Sequence, residues 1–343
     1  MVADQVKVRI EGRTGRLSLD RPEALHALNR PMCEAIVAAL LAWRRDPAIV
    51  LVILDHESGR GFCAGGDVRA AAADAEAARA FFRTEYQMNA LLHGYPKPIC
   101  AIMDGVVMGG GAGLAMPARY RVATERTLFA MPETAIGLFP DVGAGWWLPK
   151  LPGKTGLWLA LSGARLSASD CLLLGIATDH VESARLPELK AALIETPEAI
   201  DTLLTEYESD AGEPAVAQHH DAIDRAFSAG SVEGVLGRLD EQGTGWAAAQ
   251  AQAMRSASPQ TLKLGFRLLA SRAASFEAEM AREFRLAWRR AASHDFREGV
   301  RALLVDKDKA PRWDPPSLEA ATQAQIEAYF APLDVEAEWN PLT

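Results

Sequence analysis

A glycine triplet between two apolar runs constrains this chain more than any other stretch. Gly109–Gly111 follows the strand-like run Pro98–Met103 and precedes a small apolar segment, Ala112–Ala118. This order predicts a strand, a tight turn and the start of a helix. Glycine lets a ligand approach the backbone closely, and the first N–H groups of a helix have no partner within it. We therefore interpret the turn as a backbone site for a developing negative charge.

Two carboxylates follow the triplet in apolar surroundings. Glu133 stands in the segment MPET and Asp141 in FPDVG, with Met131 and Phe139 close by in sequence. Loss of solvent raises the pKa of a carboxyl and makes its ionised form a stronger base. Each residue could instead be a helix cap or a surface carboxylate. Because both carboxylates closely follow a turn that could hold an anion, we favour a role for them in the catalysis of acyl chemistry.

A second glycine-rich loop, Gly59–Asp67, precedes the triplet along the chain. Its pair Gly65-Gly66 is typical of an ordinary turn between a strand and a helix. Together with the triplet, the pair could instead supply the opposite side of one oxyanion pocket. Glu85, in the segment FFRTEY, either lines a pocket or pairs with a cation such as Arg83 on a helix surface.

Composition narrows the class of protein. The 343 residues carry a net charge of −9 and are 49% hydrophobic, which favours a packed core and disfavours nucleic acid as the main partner. The four cysteines are far apart with no CxxC, so neither a disulfide framework nor a zinc site is indicated. The sequence has no apolar run typical of a signal peptide or a membrane helix. We expect a soluble cytoplasmic protein with no membrane partner.

Several common catalytic and binding motifs are missing from the sequence. GxSxG is absent, so the usual hydrolase elbow has no support. No lysine follows the triplet as a phosphate-binding loop requires, and the acidic residue of a dinucleotide fingerprint is lacking. His219 and His220 point to different helix faces with no third ligand at a useful spacing, so we predict no metal site. Cys63 is interpreted as a small buried residue.

Strands and helices alternate along the chain to about residue 190, which predicts an α/β first module. Val6–Ile10 and Gly15–Leu19 predict a hairpin, Asn29 a helix cap, Ile49–Leu54 a buried strand and Ala70–Leu92 a helix. From there on, helical periodicity dominates. We therefore divide the chain into a core of residues 1–190 with the active site and a mainly helical region of residues 191–343.

Arginines recur every three to five residues over part of the stretch 267–301. They stand among acidic residues such as Glu277, Glu279 and Glu283. This pattern is typical of a solvated helix face with ion pairs at helical spacing. The alternative is a basic patch for a phosphorylated cofactor.

Three segments carry a family resemblance. GFCAGGDV, KPICAIMDGVVMGGGAGLAM and FAMPETAIGLFPDVGAG resemble signature segments of the crotonase superfamily of enoyl-CoA hydratases and isomerases. LPKLPGKTGLWLALSGARL and SHDFREGVRALLVDKDKAPRW resemble, more narrowly, a subfamily that hydrolyses short 3-hydroxyacyl-CoA thioesters. The likeness covers nearly the whole chain, including its helical C-terminal part.

The resemblance implies an α/β fold, a crotonase-like spiral of ββα units with a helical C-terminal region, and a CoA thioester as substrate. It assigns the N–H groups of Gly66 and Gly110 to the oxyanion hole and Glu133 and Asp141 to catalysis. Glu85, Gly110 and both of these carboxylates match substrate-contacting positions. The implied reaction is hydrolysis of 3-hydroxyisobutyryl-CoA, or of a similar short 3-hydroxyacyl-CoA, in valine catabolism.

One departure from the hydratases separates the alternatives within the superfamily. Hydratases carry a carboxylate where this chain has Gly113, and usually a glycine where it has Asp141. Losing one acid–base group and gaining another fits thioester hydrolysis better than hydration. An enoyl-CoA hydratase or isomerase, and a non-catalytic acyl-CoA-binding protein, remain the alternatives. We expect no cofactor, since CoA is part of the substrate, and the chain could form a homo-oligomer.

Overall fold

Pairs of strands followed by a helix recur along the first half of the chain. The structure, a computed structural model, describes residues 5–341. Its strands are β1 Val6–Glu11, β2 Thr14–Leu19, β3 Leu51–His56, β4 Gly61–Cys63, β5 Ile99–Met103, β6 Val106–Met108, β7 Tyr120–Ala123, β8 Leu128–Ala130 and β9 Asp179–His180. The repeated unit of two strands and a helix is the ββα unit that the resemblance implies.

Helices make up most of the regular structure after β8. The α-helices are α1 Arg30–Trp43, α2 Val68–Ala73, α3 Ala75–His93, α4 Gly110–Ala115, α5 Ala144–Trp147, α6 Thr155–Ser162, α7 Ala168–Leu173, α8 Leu186–Glu195, α9 Ile200–Tyr207, α10 His220–Phe227, α11 Val232–Gln242, α12 Gly245–Ser256, α13 Pro259–Ala270, α14 Phe276–Arg290, α15 His294–Val300 and α16 Gln323–Phe330. Local sequence determines where several of these helices begin. The Asn29 side chain accepts a hydrogen bond from Met32 N and caps α1, as predicted.

The strands form two sheets. A six-stranded sheet has the order β1-β2-β3-β5-β7-β9, and a three-stranded sheet has the order β4-β6-β8. β1 and β2 form the predicted antiparallel hairpin, with Val6 opposite Leu19. The remaining neighbours in the large sheet are parallel. Parallel neighbours need a long crossover, which the intervening strand and helix of each unit provide.

One face of the large sheet is covered by α8 and α9. The run IVLVIL predicts a strand buried on both faces, and β3 has five fully buried residues in succession. The core on this face combines side chains from β3, β5 and β7 with leucines and isoleucines of the two helices. Its members are Leu51, Ile53, Cys100, Ile102, Tyr120, Val122, Val181, Leu186, Leu189, Leu193, Ile200 and Leu204.

The chain divides into two compact units that are interleaved along the sequence. The first comprises the residues up to Gly66 together with Gln87–Phe129 and Leu166–Ala217. The second comprises Asp67–Tyr86, Ala130–Arg165 and the residues from Gln218 onward. Each unit therefore contains segments from both sides of residue 86. The module boundary near residue 190 follows composition along the chain and stays a prediction.

Two local predictions need correction. The segment Gly59–Asp67, predicted as a loop, contains β4, because its residues pair in parallel with β6. The single helix predicted over Ala70–Leu92 is two helices, α2 and α3. Asp74 separates them, since its backbone is extended (φ −144°, ψ 111°) and its side chain accepts hydrogen bonds from two N–H groups of α3. Within residues 5–341, no helix is both long and apolar enough to cross a membrane.

Candidate active site

Three carboxylates that the sequence singles out lie in the second compact unit. Glu133 begins a short 3-10 helix, Glu133–Ile136. Asp141 precedes a tight turn in which Val142 and Gly143 both have positive φ, 54° and 87°. Glu85 is on α3. A positive φ is unfavourable for valine, so this turn is held by its surroundings.

All three carboxylates are removed from solvent. Glu85, Glu133 and Asp141 are 2%, 4% and 3% exposed. Burial, and then the negative charge of Asp141, raises the pKa of Glu133 well above its usual range. Burial and then the charges of Asp141 and Glu133 do the same for Glu85. Burial raises the pKa of Asp141 to about 7, against a hydrogen bond from Tyr86 that lowers it.

Two carboxylate oxygens in this cluster have no hydrogen-bond partner in the described part of the chain. They are Oε1 of Glu85 and Oε2 of Glu133. A buried carboxylate oxygen left without a partner is costly. Native interiors contain few such atoms unless they serve a function or meet water or a ligand. This pair of acceptors is the feature of the unit that most resembles a reaction centre.

Tyr86 is a member of this cluster that the sequence analysis missed. Its hydroxyl donates a hydrogen bond of 2.6 Å to Oδ2 of Asp141, and the side chain is fully buried. Burial and then the charge of Asp141 raise the pKa of the Tyr86 phenol, so the tyrosine remains the donor. Its position next to Glu85 in FFRTEY was the only available sequence signal.

The two glycine turns meet within the first compact unit. Gly65 has a φ of 111°, and a Cβ atom there would lie 3.3 Å from the carbonyl oxygen of Met108 and 3.6 Å from the N atom of Gly110. At Gly111 a Cβ atom would lie only 2.2 Å from the carbonyl oxygen of Cys63. The structure therefore brings the two turns together, as the sequence predicts, and the contact requires residues without side chains.

Gly110 is the first residue of α4, whose N-cap Gly109 has a φ of 48°. An N–H group at this position has no acceptor within the helix and is free to bind an anion. Gly66 forms an isolated parallel β-bridge with Leu28. The oxyanion role of Gly66 and Gly110 remains a prediction.

Gly113 occupies the position at which hydratases carry their second carboxylate. It lies inside α4, where its N–H donates to Gly109 O and its carbonyl oxygen accepts a 3.0 Å hydrogen bond from the Asn89 side chain. Both residues are in the first compact unit. At this position the chain therefore has a backbone carbonyl held by the Asn89 side-chain amide, and no acid–base group.

The prediction of a solvated charged face on the arginine-rich helix is wrong for part of α14. Glu279, Glu283 and Arg290 have no solvent exposure. Their burial follows from contacts with residues far away in sequence, such as Gly143, whose N–H donates 2.8 Å to Oε2 of Glu283. One signal was available, because Glu283 and Arg290 share a helical stripe with the apolar Met280.

No group of three or more histidine, cysteine or acidic side chains in residues 5–341 is arranged to hold a metal ion. Cys63 is fully buried, as the sequence predicts. Burial raises the pKa of the Cys100 and Cys171 thiols, which makes them poor nucleophiles.

Comparison with known proteins places these features in a family. The sequence profile of the enoyl-CoA hydratase/isomerase family matches residues 14–330. The chain therefore belongs to this family, and the resemblance to the crotonase superfamily is confirmed.

Named relatives give a narrower likeness. The chain is 44% identical to a mitochondrial 3-hydroxyisobutyryl-CoA hydrolase of Xenopus tropicalis over 94% of its own length and 87% of that protein. It is 39% identical to the Homo sapiens protein of the same name, over 96% of its own length and 89% of that protein. The narrower resemblance inferred from the C-terminal segments is thus confirmed.

Solved structures confirm the fold. A carnitinyl-CoA dehydratase from Mycobacterium thermoresistibile matches with a TM-score of 0.91 at 36% identity, covering 97% of this chain and 98% of that one. An enoyl-CoA hydratase from Rhodobacter sphaeroides matches with a TM-score of 0.90 at 38% identity, covering 98% and 100%. The likeness extends over the helical C-terminal region as well as the ββα units.

The predicted cytoplasmic location is wrong by this comparison, because the curated relatives are mitochondrial proteins. The prediction of a cytoplasmic location rested on the lack of the apolar run that is typical of a secretory signal. Mitochondrial targeting segments are amphipathic and arginine-rich, so that criterion does not detect them.

Proposed function

We propose that this chain hydrolyses the thioester of 3-hydroxyisobutyryl-CoA, or of a similar short 3-hydroxyacyl-CoA, to the free acid and CoA. This reaction would place it in valine catabolism. The observation that carries the proposal is the buried cluster of Glu85, Glu133 and Asp141, with two unpartnered oxygens. The names of relatives at 39% to 44% identity support the same substrate.

The backbone turns supply the first part of the proposed mechanism. The N–H groups of Gly66 and Gly110 would donate hydrogen bonds to the thioester carbonyl oxygen and stabilise the negative charge that develops on it. A preorganised donor of this kind is worth about 3–4 kcal/mol in the transition state. Their contribution needs no proton transfer, so it does not depend on the ionisation of any side chain.

Glu133 supplies the reactive carboxylate in this proposal. It either attacks the carbonyl carbon or removes a proton from an attacking water. In the first route the C–S bond breaks, CoA leaves as a thiolate that takes up a proton, and water cleaves the mixed anhydride to regenerate Glu133. Asp141 would orient the water or the 3-hydroxyl group, and Glu85 would contact the same end of the substrate.

The raised pKa of Glu133 suits either route. A carboxylate that is held ionised in an apolar interior is a stronger base and nucleophile than one in water. Ionisation of three neighbouring carboxyls is mutually unfavourable, so one of them can hold a proton near neutral pH. That proton is available to the departing sulfur.

An enoyl-CoA hydratase or dehydratase is the second candidate. The two solved structures with TM-scores of 0.91 and 0.90 bear those names. Gly113 argues against it, because a hydratase adds water with two carboxylates. The curated relatives also favour the hydrolase.

The experiment follows two substrates in parallel with the purified wild-type chain. Free thiol is measured after addition of 3-hydroxyisobutyryl-CoA, and loss of the conjugated double bond after addition of crotonyl-CoA. Thiol release without hydration is the expected result. Hydration without thiol release would establish the second candidate, and tight binding of both esters without turnover would establish a non-catalytic acyl-CoA-binding protein.

A further inference from the structure

Helix α14 buries charged side chains that the proposed reaction does not use. Glu283 and Arg290 lie on one face of the helix, two turns apart, and neither is exposed. A buried charge is costly unless it is paired and hydrogen-bonded. Their retention in the interior calls for partners. Each of the two has a backbone partner on a segment that carries one of the two proposed catalytic carboxylates, and Arg290 also forms an ion pair with the buried Asp295.

Glu283 holds the turn that follows Asp141. Its two carboxylate oxygens accept hydrogen bonds from the N–H groups of Gly143 and Gly145, at 2.8 and 3.1 Å. The turn includes Val142 at a φ of 54°, a conformation that a β-branched residue adopts only under constraint. The two bonds from Glu283 supply such a constraint.

Glu279 packs against the same turn. A Cβ atom added at Gly145 would lie 1.9 Å from Oε1 of Glu279. The Arg282 guanidinium forms an ion pair of 2.5 Å with Glu279. Burial and then the charge of Glu279 raise the pKa of Glu283, while the two glycine N–H groups oppose that rise.

Arg290 holds the turn that follows Glu133. Its Nε donates a 3.0 Å hydrogen bond to the carbonyl oxygen of Gly137, and a second guanidinium nitrogen donates to the same oxygen. Gly137, at a φ of 70°, ends the 3-10 helix that Glu133 begins. The remaining nitrogen of Arg290 donates to Oε1 of Gln260, at 2.5 Å. The guanidinium is thus satisfied within the same compact unit.

We propose that α14 positions both catalytic carboxylates, with Glu283 fixing the turn after Asp141 and Arg290 fixing the turn after Glu133. Glu283 and Arg290 act through backbone atoms and are positioning residues. One rigid helix sets the spacing of the two carboxylates, because it binds both turns from a single face. The proposal rests on the thioesterase function proposed above.

Two pairs of variants test this proposal. Glu283→Gln keeps the shape of the side chain but replaces one acceptor oxygen by a donor, so one glycine N–H loses its partner. Asp170→Asn is the matched control, because Asp170 is also a buried carboxylate that accepts from two backbone N–H groups, those of Ser167 and Val216. Arg290→Met removes the anchor of Gly137, and Arg290→Lys restores a charged donor.

The expected result is a loss of kcat in Glu283→Gln and Arg290→Met of about 10- to 100-fold, as for supporting residues around other sites. KM should stay within about twofold, and Arg290→Lys should recover part of kcat. Asp170→Asn should lower the unfolding temperature by a similar amount and leave kcat unchanged. Equal kcat losses in Glu283→Gln and the control would overturn the proposal.

A second readout separates this proposal from the proposed function. Amide hydrogen exchange at Gly143 and Gly145 is measured by NMR in the wild type and in Glu283→Gln. Faster exchange at these amides in the variant, by about tenfold or more, is expected from loss of an acceptor. If the wild type releases no thiol but exchange responds, the thioesterase function fails and the anchoring stands. Unchanged exchange at both amides would refute the anchoring itself.

Discussion

The glycine turns and the buried carboxylates are built in opposite ways. The turns use backbone atoms in short sequence motifs, and they meet because glycine permits contacts such as that of Gly111 with Cys63 O. The carboxylates come from separate segments, and a helix far along the chain, with Glu283, holds one of them. Contact between the glycine turns requires residues without side chains, whereas the properties of the carboxylates come from the burial of their side chains.

This difference separates two kinds of electrostatic contribution. N–H groups at a helix start carry a fixed dipole that pH does not change. Buried carboxyls lose hydration when they ionise, so burial disfavours their charged form. This is why the pKa of Asp141 is raised to about 7.

Gly111→Ala should damage the glycine-turn region most. The added Cβ would lie 2.2 Å from the carbonyl oxygen of Cys63, so the turn must move and Gly110 N with it. We expect kcat to fall about 10²- to 10³-fold, the effect of losing one oxyanion donor. Gly237→Ala is the control, since a Cβ at Gly237 on α11 meets nothing within 4 Å. Steady-state thiol release measures both, and equal activity in the two variants would contradict the role of the turn.

The pH dependence of activity should report the carboxylate region. The proposed base Glu133 works in its ionised form, and burial and then the charge of Asp141 raise its pKa well above the usual range. Asp141, which would orient the water or the 3-hydroxyl group, has a pKa of about 7. kcat/KM for thiol release should therefore still rise between pH 5 and pH 8, by about 10- to 100-fold, where an ordinary glutamate with a pKa of about 4.3 is already ionised. A profile that is flat over this range would show that no raised carboxyl pKa controls the reaction.

Asp141→Asn should stabilise the fold while reducing activity. Because the folded pKa of Asp141 lies above that of an unfolded aspartate, near 3.9, ionisation costs stability as pH rises from about 4 through 7. Asparagine removes that cost and can still accept the Tyr86 hydrogen bond. We expect the free energy of unfolding at pH 8 to rise by about 1–3 kcal/mol.

Urea denaturation at two pH values measures this change. The gain in Asp141→Asn should shrink toward zero near pH 3, below the pKa of about 3.9 of an unfolded aspartate, where the wild-type carboxyl is largely protonated in both states. A variant that is less stable than the wild type at pH 8 would show that Asp141 contributes to folding through its charge.

Tyr86→Phe should have the smallest effect. The hydrogen bond from Tyr86 lowers the pKa of Asp141, so its removal moves the rise of kcat/KM to higher pH. We expect activity to fall about three- to tenfold at pH 6 and less at pH 9. Tyr95→Phe is the control, because the Tyr95 hydroxyl donates to Leu40 O and both residues belong to the first compact unit, whereas the carboxylates belong to the second. An unchanged profile in Tyr86→Phe would exclude Tyr86 from the tuning of Asp141.

Local sequence patterns predicted the parts of the fold that local physics decides. The hairpin, the Asn29 cap and the buried strand β3 follow from turn chemistry, capping and apolar runs. The contact between the two glycine turns agrees with the interpretation that they could supply opposite sides of one pocket, and the oxyanion pocket itself stays a prediction. The burial of Glu133 and Asp141 agrees with their apolar neighbours in sequence.

The supporting residues could not be predicted in the same way. Glu283 and Arg290 carry charges at a spacing that usually marks a solvated helix face. Their burial depends on acceptors and donors in the turns after Asp141 and Glu133, which are more than a hundred residues away. Tyr86 was missed for the same reason, because its partner Asp141 lies on a distant segment. A single sequence contains no record of such contacts.

The most direct test of the account compares wild type with Glu133→Gln on 3-hydroxyisobutyryl-CoA, following thiol release and, by equilibrium titration, binding of the ester. Glutamine keeps the size of the side chain and removes its basicity. We expect rapid thiol release by the wild type, a loss of about 10³- to 10⁴-fold or more in the variant, and similar affinity in both. Thiol release by Glu133→Gln at the wild-type rate would contradict the account, whatever its effect on binding.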